Sequence, residues 1–336
     1  MYTHKYYMRI REGIGMSNFA FIVAATGTYT PELVAQLNSL EYIGNKQDVH
    51  VIGIDLEQST IDQFSKLSYK VIFHDVTEPE WQLNRGKSET VCRKRYWYAA
   101  EIGKYYDSVC VLDADLVWTR DPIHYFVMAH KTGYIFGPSK EQNKVYEHEH
   151  CEVNGKWIWN VPRGYYNTVD MCNCPVFIDA KLWHDALVMS WDVFINGGFR
   201  APDMDAMSLA FLQHGSADKT VLLPGIQWLG TNEQHLKPYS RAIMDRGLLK
   251  TESGIPIFCY HGQYYKKGWR ECQLGNRHQC ASGYLKADKH PQTIEHMDNQ
   301  AYGAMNLLYE YFLKMLDYKI VIEKKNYVHP ELPYES

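Results

Sequence analysis

The sequence predicts an α/β fold, a doubly wound sheet with helices on its faces. Two observations carry this. Short apolar runs alternate with helical patterns along the N-terminal part of the chain. One of those runs then ends directly in a pair of aspartates, at the kind of strand end where open α/β sheets bind ligands.

The elements follow in order. Asn18–Thr26 (NFAFIVAAT) is a continuous apolar run ending in small residues, which reads as a buried strand broken by Gly27. Pro31–Ser39 reads as a helix, with Thr30 as its N-cap and Pro31 in its first turn. Val49–Ile54 is a second strand, Ser59–Leu67 is helical, and Lys70–His74 is a third strand. Glu89–Tyr106 predicts a long helix with Val91, Tyr98, Ile102 and Tyr105 near one face and Arg93, Lys94 and Arg95 elsewhere on its N-terminal half. The strand Ser108–Leu112 runs into Asp113-Ala114-Asp115. Beyond Pro122 the texture changes, and 131–169 reads as an inserted, cleft-bordering region. Val176–Asp179 is a further strand, Leu182–Phe194 and Met204–His214 are helices, and Pro256–Tyr260 is a short strand ending at His261. Residues 262–298 are aromatic and basic with weak periodicity, Ala301–Leu316 is a closing amphipathic helix, and 319–336 is a tail.

Composition narrows the function. Of 336 residues, 46% are hydrophobic and 22% charged, which fits a chain with a sizeable core. A formal net charge of −4 gives no global electrostatic case for nucleic acid or an anionic membrane. No run approaches the ~20 apolar residues of a membrane span, and residues 1–17 lack the apolar centre of a signal peptide. A cytoplasmic protein with reduced thiols at its eight cysteines is therefore expected. Cys272, His278 and Cys280, with His148, His150 and Cys151, match no standard zinc spacing, so thiols without a metal are the expectation there.

The acid pair points to a hard divalent cation. Carboxylates at the end of a strand, with small Ala114 between them, can hold Mn²⁺ or Mg²⁺. Such an ion suits reactions that expel an anionic diphosphate. Acids also end strands as ordinary turn chemistry, so the surrounding residues decide.

VCVLDADLVWTRDPIHYF resembles the D-x-D strand of the GT-A fold glycosyltransferases, in particular the retaining family of glycogenin and the bacterial lipopolysaccharide galactosyltransferases. The resemblance implies a GT-A-like, Rossmann-type mixed sheet with helices on both faces and an inserted acceptor-side region. It implies a catalytic domain over 18–269, after an N-terminal extension (1–17) and before a C-terminal acceptor-side segment (270–336). Asp113 would then touch donor ribose and metal, and Asp115 would grip the metal. Ala25, Thr26 and Tyr29 match positions that admit the nucleotide base. Arg95 matches the basic residue that contacts the donor, with Lys94 adjacent because the spacing is ambiguous by about one position. MCNCPVFID puts Asn173 on the family's Asn and Pro175 where the family has Gly. Asp203 and Asp205 fall where the family has acidic residues near the transferred sugar. CYHGQYYKKGW keeps the spacing of a third metal ligand, His261, and of Lys267 and Trp269, although Gly262 and Gly268 depart from the family pattern.

The resemblance implies a metal-dependent glycosyltransferase that uses a nucleotide-sugar donor, UDP-sugar by family default, and retains configuration; an inverting course with Asp203 or Asp205 as general base stays open, because D-x-D does not fix the stereochemistry. The hydroxyl-bearing acceptor is open: a glycan, lipid-linked or protein acceptor, or an anionic one such as DNA met through the basic residues of 270–290. Two rivals share the architecture. A sugar-phosphate nucleotidyltransferase would carry a Gly-rich basic loop after its first strand, whereas Thr26-Gly27-Thr28-Tyr29 has one Gly and no Lys or Arg. A catalytically inactive binding module would have no need of the acids, His261 or Lys267.

Overall fold

A computed structural model describes residues 18–76, 87–138, 151–153, 156–158, 171–172, 174–196, 203–224, 228, 242–245, 248–251 and 256–261. The main elements are β1 (Phe19–Thr26), α1 (Thr30–Tyr42), β2 (Asp48–Ile54), α2 (Gln58–Ile61), β3 (Val71–Asp75), α3 (Lys87–Gly103), β4 (Ser108–Asp113), β5 (Leu116–Trp118), α4 (Ile123–Thr132) and β6 (Ile135–Pro138). They are followed by β7 (Cys151–Val153), β8 (Lys156–Ile158), β9 (Val176–Ile178), α5 (His184–Asn196), α6 (Asp203–Gln213), β10 (Thr220–Leu223), β11 (Ala242–Asp245), β12 (Leu248–Thr251) and β13 (Cys259–His261).

Seven strands form one mixed sheet in the order β10-β6-β9-β4-β1-β2-β3. β1 pairs in parallel with β2 and β4, and β9 runs antiparallel to β4 and β6. The α/β mixed sheet expected from the sequence is therefore present. Because β1 lies inside the sheet between β4 and β2, its side chains feed two cores. Phe21, Val23 and Ala25 pack on the side of α1 and α4, and Ala20, Ile22 and Ala24 pack on the side of α3, α5 and α6. A strand buried on both faces has no polar alternation, which is why NFAFIVAAT reads as one apolar run.

Local chemistry sets several ends. α1 starts one residue before the expected Pro31, so Thr30 is its first residue and not its cap. The 3₁₀ turn Gly27–Tyr29 leads straight into it, and the Thr30 hydroxyl donates back to Gly27 O at 2.7 Å. Gly27 is required by crowding, since a Cβ there would sit 2.2 Å from Asp55 O at the end of β2. Asp121, just before the N-cap residue Pro122, accepts the Ile123 N–H at 2.9 Å at the start of α4, and Gly133 closes that helix at φ 67°. Asp179 accepts the N–H groups of Lys181 and Leu182, both at 3.1 Å, before α5. The helical stretch expected at 59–67 is a single α turn continued by a 3₁₀ segment, Asp62–Lys66.

Five strands or strand pairs were not predicted: β5, β6, β10, the β7–β8 hairpin and the β11–β12 hairpin. All have only three or four residues, too few for a period to emerge. β6 lies within the segment read as inserted, yet Ile135 and Phe136 are buried in the sheet. The expected closing helix at 301–316 and the tail lie outside the described residues.

A polar network is sealed between β2, β3 and the end of α3. Tyr106 donates to Asp48 Oδ2 at 2.8 Å, His50 Nε2 lies 2.9 Å from the Tyr106 hydroxyl, and His50 Nδ1 lies 2.8 Å from His74 Nε2. Burial pushes His50 well below the usual imidazole range and His74 down to about 4. Both rings are therefore neutral in the folded protein. Their contribution is complete above pH 6.5, where the unfolded histidines are also neutral, and is lost as pH falls from there toward 4. Denaturant melts should show a loss of about 2 kcal/mol between pH 7 and 5 from His74 alone. His74→Gln should flatten that slope.

Candidate functional site

The site is built from the end of β4. Asp113 closes β4, Ala114 and Asp115 make the turn, and β5 begins at Leu116. In the order β3-β2-β1-β4 the chain winds outward in opposite directions from β1 and β4, so the crevice beyond their carboxyl ends is the topological switch point of the sheet. Asp113 pairs with Ala24 across β1, which places Ala25 and Thr26 at the same edge. Both are buried, and Tyr29 packs partly buried against the core beside them.

The two acids differ in setting. Asp115 is 4% exposed, whereas the Asp113 side chain is 25% exposed and forms an ion pair with Arg95. Arg95 is fully buried on α3, and its guanidinium lies over the Tyr96 ring at 5.2 Å. The structure thereby separates Arg95 from Lys94. The Lys94 ammonium sits 5.1 Å from the Trp97 ring and 5.3 Å from the Trp191 ring, on the side of α3 that meets α5.

β13 brings His261 to the same edge. It pairs antiparallel with β5, and His261 stands opposite Leu116, the residue after Asp115. This distant segment is held firmly. Phe258 stacks on Trp228 at 4.7 Å, Phe258 O accepts the Thr119 N–H at 2.9 Å, and Ile257 O accepts the Thr119 hydroxyl at 2.5 Å. Trp228 in turn meets the edge of Tyr125 at 4.6 Å, which ties the segment to α4.

Other candidate residues fall partly or wholly outside the described set. Asp203 opens α6 and Asp205 lies in its first turn, at backbone level. Asn173, Lys267, Trp269 and the basic stretch 270–290 lie outside the described residues. Cys110, Cys172, Cys174 and Cys259 are free cysteines, and burial pushes the thiols of Cys110, Cys174 and Cys259 well up. Those three are neutral thiols at ordinary pH. Among the described residues, no group of three or more His, Cys, Asp or Glu side chains is gathered for a metal. The two carboxylates of the acid turn are of the oxygen type that a hard divalent ion takes, and the His261 backbone lies beside them in the β5–β13 pair.

Sequence reasoning missed two side chains that touch this turn. Gln36 of α1 donates through Nε2 to Asp113 O at 2.8 Å, and Cys174 Sγ accepts the Asp113 N–H at 2.9 Å. The available signal was a buried-pattern helix, LVAQLNSL, with polar residues set among its apolar ones.

No protein-family model matches this sequence, and no curated protein matches it. The fold is similar to that of solved glycosyltransferases. The chain is 13% identical to the bifunctional glycosyltransferase WbbM, with 88% of this chain and 52% of that chain covered and a TM-score of 0.48. It is 15% identical to an active-site mutant of LgtC, with 82% and 95% covered and a TM-score of 0.48. It is 15% identical to the glycosyltransferase GlyE of Streptococcus pneumoniae, with 63% and 46% covered and a TM-score of 0.43. The chain thus spans about half the length of WbbM and GlyE. Among the described residues, no helix is long and apolar enough to cross a membrane.

The Arg95–Asp113 pair is testable directly. Arg95→Met should cost roughly 1–3 kcal/mol in urea unfolding, less than a fully buried pair because Asp113 is partly exposed. Adding Asp113→Asn should recover part of that loss, and a double-mutant cycle measures the coupling.

Proposed function

We propose that this chain is a metal-dependent glycosyltransferase that moves a sugar from a nucleoside diphosphate donor, UDP-sugar favoured, to an acceptor hydroxyl. The observation that carries the reading is the convergence at one sheet edge of Asp113, Asp115 and the His261 position, with buried Arg95 against Asp113.

In this reading Asp113, Asp115 and His261 hold Mn²⁺ or Mg²⁺. When bound, that ion stabilises the negative charge of the departing diphosphate. Ala25, Thr26 and Tyr29 border the base and ribose at the end of β1. Arg95 balances the charge of Asp113 beside the donor phosphates, Lys267 holds the diphosphate, and Trp269 is a further donor-binding residue. Asn173, Asp203 and Asp205 orient the hydroxyls of the transferred sugar. Transfer proceeds with retention by front-face attack, with the acceptor proton passing to the leaving phosphate, so no protein nucleophile is required. Nothing in the described residues favours a DNA acceptor over a saccharide, lipid-linked or protein hydroxyl.

The test needs no acceptor, because water serves as a slow one. Purified protein is incubated with a panel of nucleotide sugars, with Mn²⁺ or with EDTA, and nucleoside diphosphate release is followed. Release from one donor is expected with Mn²⁺ only, and Asp115→Ala should lower it roughly 100-fold or more. No release from any donor, with no thermal shift from UDP plus Mn²⁺, refutes the assignment. For the stereochemical course, Asp203→Asn should slow the reaction without accumulating a sugar–enzyme ester by intact-mass spectrometry.

A further inference from the structure

Asp113 is the last residue of β4, and its backbone has outrun the β4–β9 ladder, whose last pair is Val111 with Val176. Buried N–H and C=O groups that leave a ladder need other partners. Side chains supply both. The Asp113 N–H donates to Cys174 Sγ at 2.9 Å, and Asp113 O accepts from Gln36 Nε2 at 2.8 Å. A carbonyl can only accept, so the Gln36 amide must present its NH₂ group to it.

The grip continues along α1. Ser39, one turn beyond Gln36, accepts the Trp118 N–H through Oγ at 2.9 Å and donates to Gln36 O at 2.6 Å. One helix therefore holds both ends of the β4–turn–β5 reversal, at Asp113 and at Trp118. Gln36, Ser39 and Cys174 are each 0% exposed.

We propose that Gln36 and Cys174 are positioning residues of the donor–metal site, which fix the backbone of Asp113 so that the acid turn holds one geometry. This rests on the glycosyltransferase reading for what the turn binds. Stability alone does not account for Gln36. Its Oε1 is buried without a hydrogen-bond partner among the described residues, a cost that an apolar side chain of similar size would avoid. A buried amide with only one of its ends satisfied among the described residues is better explained by what that end holds. Displacements of well under an ångström at a metal ligand matter to binding, so the layer behind the ligands sets affinity.

The test compares Gln36→Met, Cys174→Ala and Cys174→Ser with the wild type. Amide hydrogen exchange in peptides spanning 108–118 reads the grip itself, and isothermal titration with Mn²⁺ plus UDP reads the site. Gln36→Met and Cys174→Ala should each speed exchange at the turn and raise the Kd for Mn²⁺–UDP roughly tenfold, while the ligand-free melting midpoint moves by only a few degrees. Cys174→Ser, which keeps an acceptor, should recover much of the affinity. Unchanged exchange and unchanged affinity overturn the proposal, as does an affinity loss that merely tracks a collapse in melting temperature. A wild-type protein that binds neither Mn²⁺ nor UDP overturns the donor-site reading itself. Faster exchange in the variants then shows that the grip was real and the ligand assignment wrong.

Discussion

A carboxylate at the inner end of a sheet strand must find a counter-charge, and Asp113 finds it in Arg95. That ion pair ties the reactive edge of the sheet to α3. The helix cannot then sit anywhere else. Its first half is fastened to β4 through Arg95, and just past its end Tyr106 joins Asp48 and His50 of β2. Lys94, next in sequence to Arg95, turns the other way and lies against Trp97 and against Trp191 of α5. Two adjacent cations thus serve two layers. One balances the acid turn and the other couples the helix pair on that face of the sheet. Breaking the first leaves a partly buried charge unbalanced, whereas breaking the second removes a contact between layers.

The rest of the site follows from where β4 ends. β1 is flanked by β2 on one side and β4 on the other, so the connecting helices leave on opposite faces and a crevice remains at the carboxyl ends. The crowding of Gly27 against Asp55 O shows how closely the ends of β1 and β2 approach there, and any side chain at 27 would push them apart. β13 reaches the same edge from far along the chain because an aromatic group, Tyr125, Phe177, Trp228 and Phe258, holds its base against α4 and β9. Hydrophobic packing behind the site therefore delivers a polar residue in front of it.

This division explains what the sequence made legible. β1, β2, β4 and the acid turn stand out because strands buried on both faces show as unbroken apolar runs and acids interrupt them abruptly. Arg95 was placed only to within about one position, since the basic run Arg93-Lys94-Arg95 looks alike in composition; burial and the partner decide it. β5, β6 and β10 escaped notice because three or four residues carry no period, and their strand state comes from a neighbour's ladder rather than from their own propensity. The roles of Gln36 and Cys174 were hard to read for a related reason. Their importance lies in a hydrogen bond to the backbone of Asp113, and no local pattern marks a side chain that acts on a residue so far away in sequence.

The charges at the turn also argue for a particular kind of ligand. Asp113 and Asp115 bring two negative charges and Arg95 returns one, so the three residues together carry a single negative charge when ionised. A neutral imidazole at 261 would leave that balance unchanged. Two bare carboxylates in a buried corner would repel a diphosphate outright. On the proposed reading, a divalent cation held by these acids would outweigh their remaining negative charge and present a net positive charge to a diphosphate. On that reading the buried arginine would be more than a structural counter-ion, because its charge would add to the pull that a bound cation exerts on a diphosphate.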